Sequence, residues 1–150
     1  MATAAPLPPL PSLAAGPCTA ARVRRLSRRI TQIYDEGLAA YGLTIGQYGV
    51  LASLSRREGI GVGILADRLS ADASTVSRLL KPLQAAGYLV LDPDPDDRRA
   101  KRIRLTDAGA DKRRTAAQGW HAAQRQVQDA LGDGRLATLH FILDETYSHL

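Results

Sequence analysis

The chain has 150 residues, 45% of them hydrophobic, which suits one ordinary domain with a real core rather than a tail or a linker. Twenty lysines and arginines stand against fifteen acidic residues, a net charge of +5, and seventeen of the basic residues are arginines because lysine occurs only at 81, 101 and 112. That balance favours a phosphate-bearing or acidic partner, since guanidinium pairs bidentately with phosphate oxygens; the single cysteine excludes an intramolecular disulfide framework and a thiolate zinc site, and suits a reducing compartment.

Residues 1–18 form a Pro/Ala-rich arm with prolines at 6, 8, 9 and 11. It has neither a basic leading region nor an unbroken apolar run, so it reads as neither a secretory signal nor a spanning helix. A flexible or partly polyproline-like arm is one reading, and contact with a partner subunit is the other. With no apolar run near twenty residues, a soluble, cytoplasmic protein without membrane contact is expected.

From Thr19 to Ala40, Val23, Leu26, Ile30 and Ile33 recur at helical steps, predicting a long amphipathic helix that Thr19 caps and Gly42 terminates. Thr44-Ile45-Gly46-Gln47 has the form of a capping box and opens a second helix, with Tyr48, Leu51 and Leu54 on one face and Gly59 as its stop. A short extended piece at Ile60 leads to a third helix ending at Leu69, with Gly61 as a weak cap. Asp72 caps a fourth, whose stripe is Val76, Leu79, Leu80 and Leu83 and which Gly87 ends. Two short helices joined so closely make a helix-turn-helix unit.

Two strands follow, "YLVLD" and "AKRIRL", on either side of an acidic-basic bend; in the second, Ile103 and Leu105 alternate with Arg102 and Arg104. Thr106 caps a fifth helix to about Leu131, with Asp107 favourably placed in its first turn. After "GDG", a last helix carries Leu136, Leu139, Ile142, Leu143, Tyr147 and Leu150. The fold class is therefore mainly α with a small β-hairpin wing: a winged helix-turn-helix in one domain, residues 19–150. Its DNA-binding lobe is expected at about 44–106. The flanking helices, about 19–40 and 107–150, carry more apolar surface than one such domain can cover, and predict a homodimer.

In a helix-turn-helix the start of the second helix reaches base edges, while its first amides and hydroxyls hold phosphate. Ser74, Thr75, Ser77, Arg78 and Lys81 stand there, with Arg78 suited to guanine and Lys81 to phosphate. Capping alone would account for Ser74 but has no need of Arg78 or Lys81. Pro82 predicts a bend or an irregular last turn, because it lacks an amide and crowds the Arg78 carbonyl. At the wing, Pro93, Pro95 and the aspartates force a turn near Asp94 to Asp97 and put Arg98 and Arg99 at its tip. Arginines there suit a narrow minor groove, provided the aspartates face inward; otherwise the segment is a charged surface turn with an internal ion pair.

The stretch "STVSRLLKPLQAAGYLVLDPDPDDRRAKRIRLTDAG" resembles the core of the MarR family of transcriptional regulators, with Asp97-Arg98-Arg99-Ala100 matching the wing pattern and Leu105-Thr106-Asp107-Ala108-Gly109 the following helix start. The likeness spans about residues 20–110; Gly61 departs from the Thr or Ser usual at that helix start. It implies a homodimer on a double-stranded, pseudo-palindromic DNA operator, often a repressor that answers to a small-molecule effector or an oxidant. On that likeness Arg99 probes the minor groove, Asp97 supports the wing, and Ser74, Thr75, Ser77 and Arg78 lie in the major groove. Some relatives sense hydroperoxides through a cysteine near this position, which makes Cys18 a redox candidate beside Tyr34. Here, though, Cys18 falls about two residues early and Ile45 replaces the second tyrosine.

A ligand pocket, if the chain has one, is expected between the first two helices and the DNA-binding lobe, lined by Tyr34, Tyr41, Tyr48 and Trp120; the same residues also read as core. His121, His140 and His149 lack metal-ligand spacing, and no catalytic pattern stands out, so neither metal, cofactor nor enzyme activity is expected. Beside the DNA-binding regulator, two readings stay open: an oxidant sensor of the same fold using Cys18, and a winged-helix protein-interaction module.

Overall fold

A computed structural model describes residues 18–150, so all but the last residue of the N-terminal arm lies outside the described residues. Helix α1 spans Thr19–Leu38 and tightens into a 3-10 turn at Ala39–Tyr41, which Gly42 ends at φ 67°. Helix α2 (Ile45–Ser53), strand β1 (Ile60–Gly61) and helices α3 (Val62–Arg68) and α4 (Ala73–Ala85) follow, then strands β2 (Leu89–Pro93) and β3 (Lys101–Leu105). Helices α5 (Asp107–Leu131) and α6 (Asp133–His149) complete the chain. Strands β2 and β3 form the expected hairpin wing, and the extended piece at Ile60 adds a third strand, so the sheet order is β1-β3-β2, all antiparallel.

The local signals explain most element ends. Thr44 and Gln47 close the capping box on α2 from both sides. Thr106 Oγ1 accepts the Gly109 amide at 3.0 Å and donates to the Gly87 carbonyl at 2.6 Å, so one hydroxyl both caps α5 and ties it to the end of α4. Thr19 does not cap α1. It is already helical, and Cys18 holds the cap position without a side-chain bond.

Helix α2 stops at Ser53, six residues before Gly59. Leu54 turns extended and buried, and the α2 end is held from outside instead: Arg113 of α5 donates to the Leu54 carbonyl at 2.9 Å, and Arg68 of α3 to the Ser53 carbonyl at 2.7 Å. Helix α4 passes through Pro82 to Ala85 with the ring exposed, as a proline in a last turn allows where solvent can take the freed carbonyl.

One core joins these elements. Leu38, Val50, Leu51, Leu65, Val76, Leu83, Leu89, Ile103 and Leu105 are essentially fully buried, so the alternation in β3 seats Ile103 and Leu105 under the helix-turn-helix. Helices α1 and α5 cross closely enough that a Cβ on Gly119 would overlap the Gly37 carbonyl oxygen and the Tyr41 ring. The flanking helices behave differently from the centre: α6 has no buried residue, and Val23, Leu26, Phe141, Ile142, Leu143 and Tyr147 are exposed.

Gly109 is the point where α5 leaves the wing, and a Cβ there would run into the Tyr88 backbone carbonyl. Gly109→Ala is therefore expected to lower stability by about 1–3 kcal/mol, as overpacking against a backbone does. A denaturant midpoint equal to that of the unmodified protein would refute this.

Candidate nucleic-acid interface

Ser74, Ser77, Arg78 and Lys81 lie at helical i, i+3, i+4 and i+7 positions of α4 and are all exposed, so they share one solvent face; Thr75, beside them, is half-buried. The carboxylate of Asp72 organises the start of this face. Its Oδ1 accepts the Thr75 amide at 2.7 Å and the Ser74 hydroxyl at 2.6 Å, and its Oδ2 accepts the Thr75 hydroxyl at 3.0 Å. These bonds, the Ser74 hydroxyl foremost, hold its carboxyl far below the usual carboxylate range. Ser77 donates to the Ala73 carbonyl at 2.8 Å, and Arg78 Nη2 donates to Thr75 Oγ1 at 3.2 Å.

The amide and hydroxyls expected to hold phosphate thus donate within the helix. Outward, the hydroxyls present lone pairs, and hydrogen-bond donation falls to Arg78 and Lys81.

The wing runs from Asp94 to Ala100 and is closed by the Asp94 amide on the Ala100 carbonyl at 3.1 Å. Asp97 Oδ1 accepts the Arg99 amide at 2.9 Å, a local bond that sets the tip. Of the other aspartates Asp94 faces inward, Asp92 is half-exposed and Asp96 is exposed, and the arginines they hold are the strand's. Asp94 takes Arg102 Nε at 2.9 Å, Asp96 takes Arg102 Nη2 at 3.4 Å, and Asp92 takes Arg104 Nη2 at 3.1 Å. The Arg104–Asp92 pair lies diagonal to the register Asp92↔Arg102 and Val90↔Arg104, within reach of long side chains. The Arg102 hydrogen bond depresses the Asp94 carboxyl, and Asp94 in turn raises Arg102. Arg98 and Arg99 are exposed, and their side chains make no hydrogen bond or ion pair with any described residue.

Elsewhere the aromatic residues divide. Tyr34 and Tyr48 pack on Trp120, with ring centroids 6.2 and 6.5 Å away, and Tyr34 donates to Gln124. Burial raises the Tyr34 phenol. Tyr41 lies apart from them against Gly119 and near Gln118. A cleft of about 480 Å³ opens between α2 and α5, lined by Tyr48 with Arg56, Asp111, Arg113 and Arg114; Tyr34, Tyr41 and Trp120 are not in its wall. Cys18 is exposed at the start of α1, sixteen residues from Tyr34, which is about 24 Å along a helix. Among the described residues no cluster of His, Cys, Asp or Glu could hold a metal ion, and no helix is long and apolar enough to cross a membrane.

The helix-turn-helix and most of the wing coincide with a match to the MarR family model over residues 41–100. The structure superposes on MosR of M. tuberculosis, solved in complex with DNA, with a TM-score of 0.73 and 28% identity over 88% of this chain and 97% of that one. The fold is that of MarR-family winged-helix regulators. A mutant of E. coli MarR, solved with operator DNA, has the same fold, with a TM-score of 0.75 at 23% identity over 85% of this chain and 91% of that one. Among curated relatives, SarZ of Staphylococcus epidermidis is 33% identical over 85 residues, and this chain spans 57% of its length. A putative transcriptional regulatory protein for the hcr operon of Thauera aromatica is 29% identical over 130 residues, 85% of this chain and 72% of that protein. These relatives are regulators rather than enzymes.

Sequence reasoning missed the Asp92–Arg104 and Asp94–Arg102 pairs and the Arg113 clamp. The pairs were open to inference once the register was known, because acid and base alternate along facing strands; the clamp joins residues about sixty positions apart and leaves no local trace.

Asp94→Ala should speed amide exchange across residues 94–102 while leaving exchange in the buried core unchanged. The pH dependence has the same origin. The Asp94 carboxyl is depressed in the folded wing, so its contribution is complete above the ordinary carboxylate range near pH 4 and is lost as the pH falls through its lower folded value. Wing exchange that does not respond to Asp94→Ala at neutral pH would contradict this bracing.

Proposed function

We propose that this protein is a sequence-specific, double-stranded-DNA-binding transcriptional regulator of the cytoplasm, acting as a homodimer and repressor on a pseudo-palindromic operator. The observation that carries this is the wing tip. Arg98 and Arg99 project without partners from a hairpin whose other arginines are already engaged by aspartates. A stiff hairpin that keeps two guanidinium groups free fits a narrow minor groove, where negative potential is concentrated. The α4 face then enters the adjacent major groove, with Arg78 toward base edges, Ser74, Thr75 and Ser77 beside it, and Lys81 on phosphate. Two reading heads fit half-sites about 10 base pairs apart or a small multiple of that.

Dimerisation is favoured by the exposed apolar residues of α1 and α6. Together with α5 these helices line a groove of about 450 Å³ that includes Leu26, Ile30, Ile33, Val127 and Leu139. An anionic effector would suit the α2–α5 cleft, since Arg56, Arg113 and Arg114 line it and Arg113 also holds the end of α2. Ligand there would bear on the joint between the flanking helices and the reading lobe.

Salt-titrated gel shifts on DNA upstream of its own gene test the reading. Replacing both Arg98 and Arg99 with Ala should weaken binding and reduce the log–log salt slope by about two, while the protein stays dimeric. A winged-helix interaction module would show no such DNA phenotype, and absence of a sequence-preferring complex at any salt overturns the proposal. Separately, Ile142→Asp with Leu143→Asp should give a folded monomer in sedimentation; a dimer that survives both charges places the interface elsewhere.

A further inference from the structure

Helix α4 carries a directed chain of hydrogen bonds whose consequence goes beyond the assignment of Arg78 as a reader. Asp72 Oδ2 accepts the Thr75 hydroxyl at 3.0 Å, and Thr75 Oγ1 accepts Arg78 Nη2 at 3.2 Å. A threonine hydroxyl has one hydrogen and two lone pairs. With the hydrogen committed to Asp72, the oxygen can only accept, and its remaining lone pairs lie on the side where the guanidinium sits. Arg78 spends one of its five N–H donors on this contact and keeps the rest for a partner.

We propose that Asp72 and Thr75 are positioning residues for DNA reading: together they fix the guanidinium of Arg78 over the first turn of α4, so that it meets one base pair in a single orientation. The inference rests on the DNA-binding reading above and deepens it. A free arginine of this length samples many rotamers, and ordering it on binding costs affinity that a held side chain does not lose. Thr75 is suited to the task because it is half-buried, whereas Ser74, Ser77 and Arg78 are exposed. The depressed carboxyl of Asp72 keeps it an acceptor at every pH at which the protein would meet DNA.

Asp72 also sets a cost that gives the proposal a distinctive signature. Its carboxylate stands at the exposed start of the helix that faces the phosphates, so it opposes non-specific binding while it supports specific reading. Asp72→Asn separates the two. Asparagine caps helices as well as aspartate does. Its amide oxygen can still take the Thr75 N–H, but the amide nitrogen in place of Oδ2 donates and cannot accept the hydroxyl.

The test uses the full-length protein on a randomised duplex library, with the bound fraction sequenced and parallel affinities measured on a fixed non-cognate duplex. Arg78→Ala identifies the base pair that Arg78 reads, as the position where preference is lost. Thr75→Val, which keeps shape but removes the acceptor, should lower preference at that same pair by about five- to tenfold. Thr75→Ser should retain it. Asp72→Asn should lower it comparably while tightening binding to the non-cognate duplex. Thr75→Val added to Arg78→Ala should cost nothing further, since the two act through one contact.

If the wild type enriches no sequence, the DNA-binding reading fails and this inference with it. If the wild type enriches a site and Arg78→Ala loses one position of it, but Thr75→Val and Asp72→Asn keep that position at full preference, the inference alone is overturned. Uniform loss across all positions in Thr75→Val, with a lowered thermal midpoint, would also overturn it by showing a merely structural role.

Discussion

The alternation of β3 is the constraint on which the rest depends. Ile103 and Leu105 point one way and are completely buried, while Arg102 and Arg104 point the other and meet Asp94 and Asp92. Because a strand's side chains alternate strictly, a slip of one residue would bury both guanidinium groups and expose both apolar chains, so the register is fixed by burial. Strand β3 is also the middle strand, pairing β1 on one side and β2 on the other. The wing's orientation relative to α4 therefore follows from the same two buried side chains that close the core beneath Leu65, Val76 and Leu83.

The acidic pairs add geometry rather than much energy. Each lies at a partly exposed site, where solvent screens an ion pair, and the stability of the domain rests on the apolar cluster. What the pairs do is choose a conformation for long side chains and hold the two strands of the wing at a fixed splay beyond the point where Pro93 ends the ladder. Four aspartates in the wing, at 92, 94, 96 and 97, would otherwise weaken any approach to a polyanion. Asp92 and Asp94 are spent on Arg104 and Arg102 and Asp97 on the Arg99 amide, which leaves Arg98 and Arg99 as the unpaired cations of the tip.

Much of this was legible in the sequence wherever a local rule applied. Thr44 with Gln47, Asp72, Thr106 and the positive-φ glycines at 42 and 87 lie where capping and termination demand them. The alternation around Ile103 likewise gave the buried face. Misreadings came where a distant residue overrides local preference. Helix α2 ends at Ser53 because Arg113 and Arg68 satisfy its carbonyls, and no residue between 53 and 59 announces that. Thr19 has the right side chain for a cap, but the cap position falls one residue earlier, at Cys18. At the candidate interface the residue types were readable and their hydrogen-bond directions were not. A serine or threonine serves as donor or acceptor according to what already holds its hydrogen, and Asp72 decides that for Ser74 and Thr75.

The contrast between centre and flanks has one physical cause. The winged unit buries its apolar stripes on itself, but α1 and α6 cannot, because α5 alone offers a narrow stripe of small residues, Ala116, Gly119 and Ala123, to α1 and leaves α6 without a buried side chain. Small residues let α1 and α5 approach closely, which clamps Tyr41 and Gly37 against α5 and carries the α5 backbone straight into the joint at Gly109. Helix α5, against which α6 packs, is joined to the winged core through Gly109, Thr106 and Arg113. At that joint two side chains, Thr106 and Arg113, hold backbone carbonyls of the core, and Gly109 lies too close to the Tyr88 carbonyl to carry a Cβ, so the direction in which α5 leaves the core is set by backbone geometry.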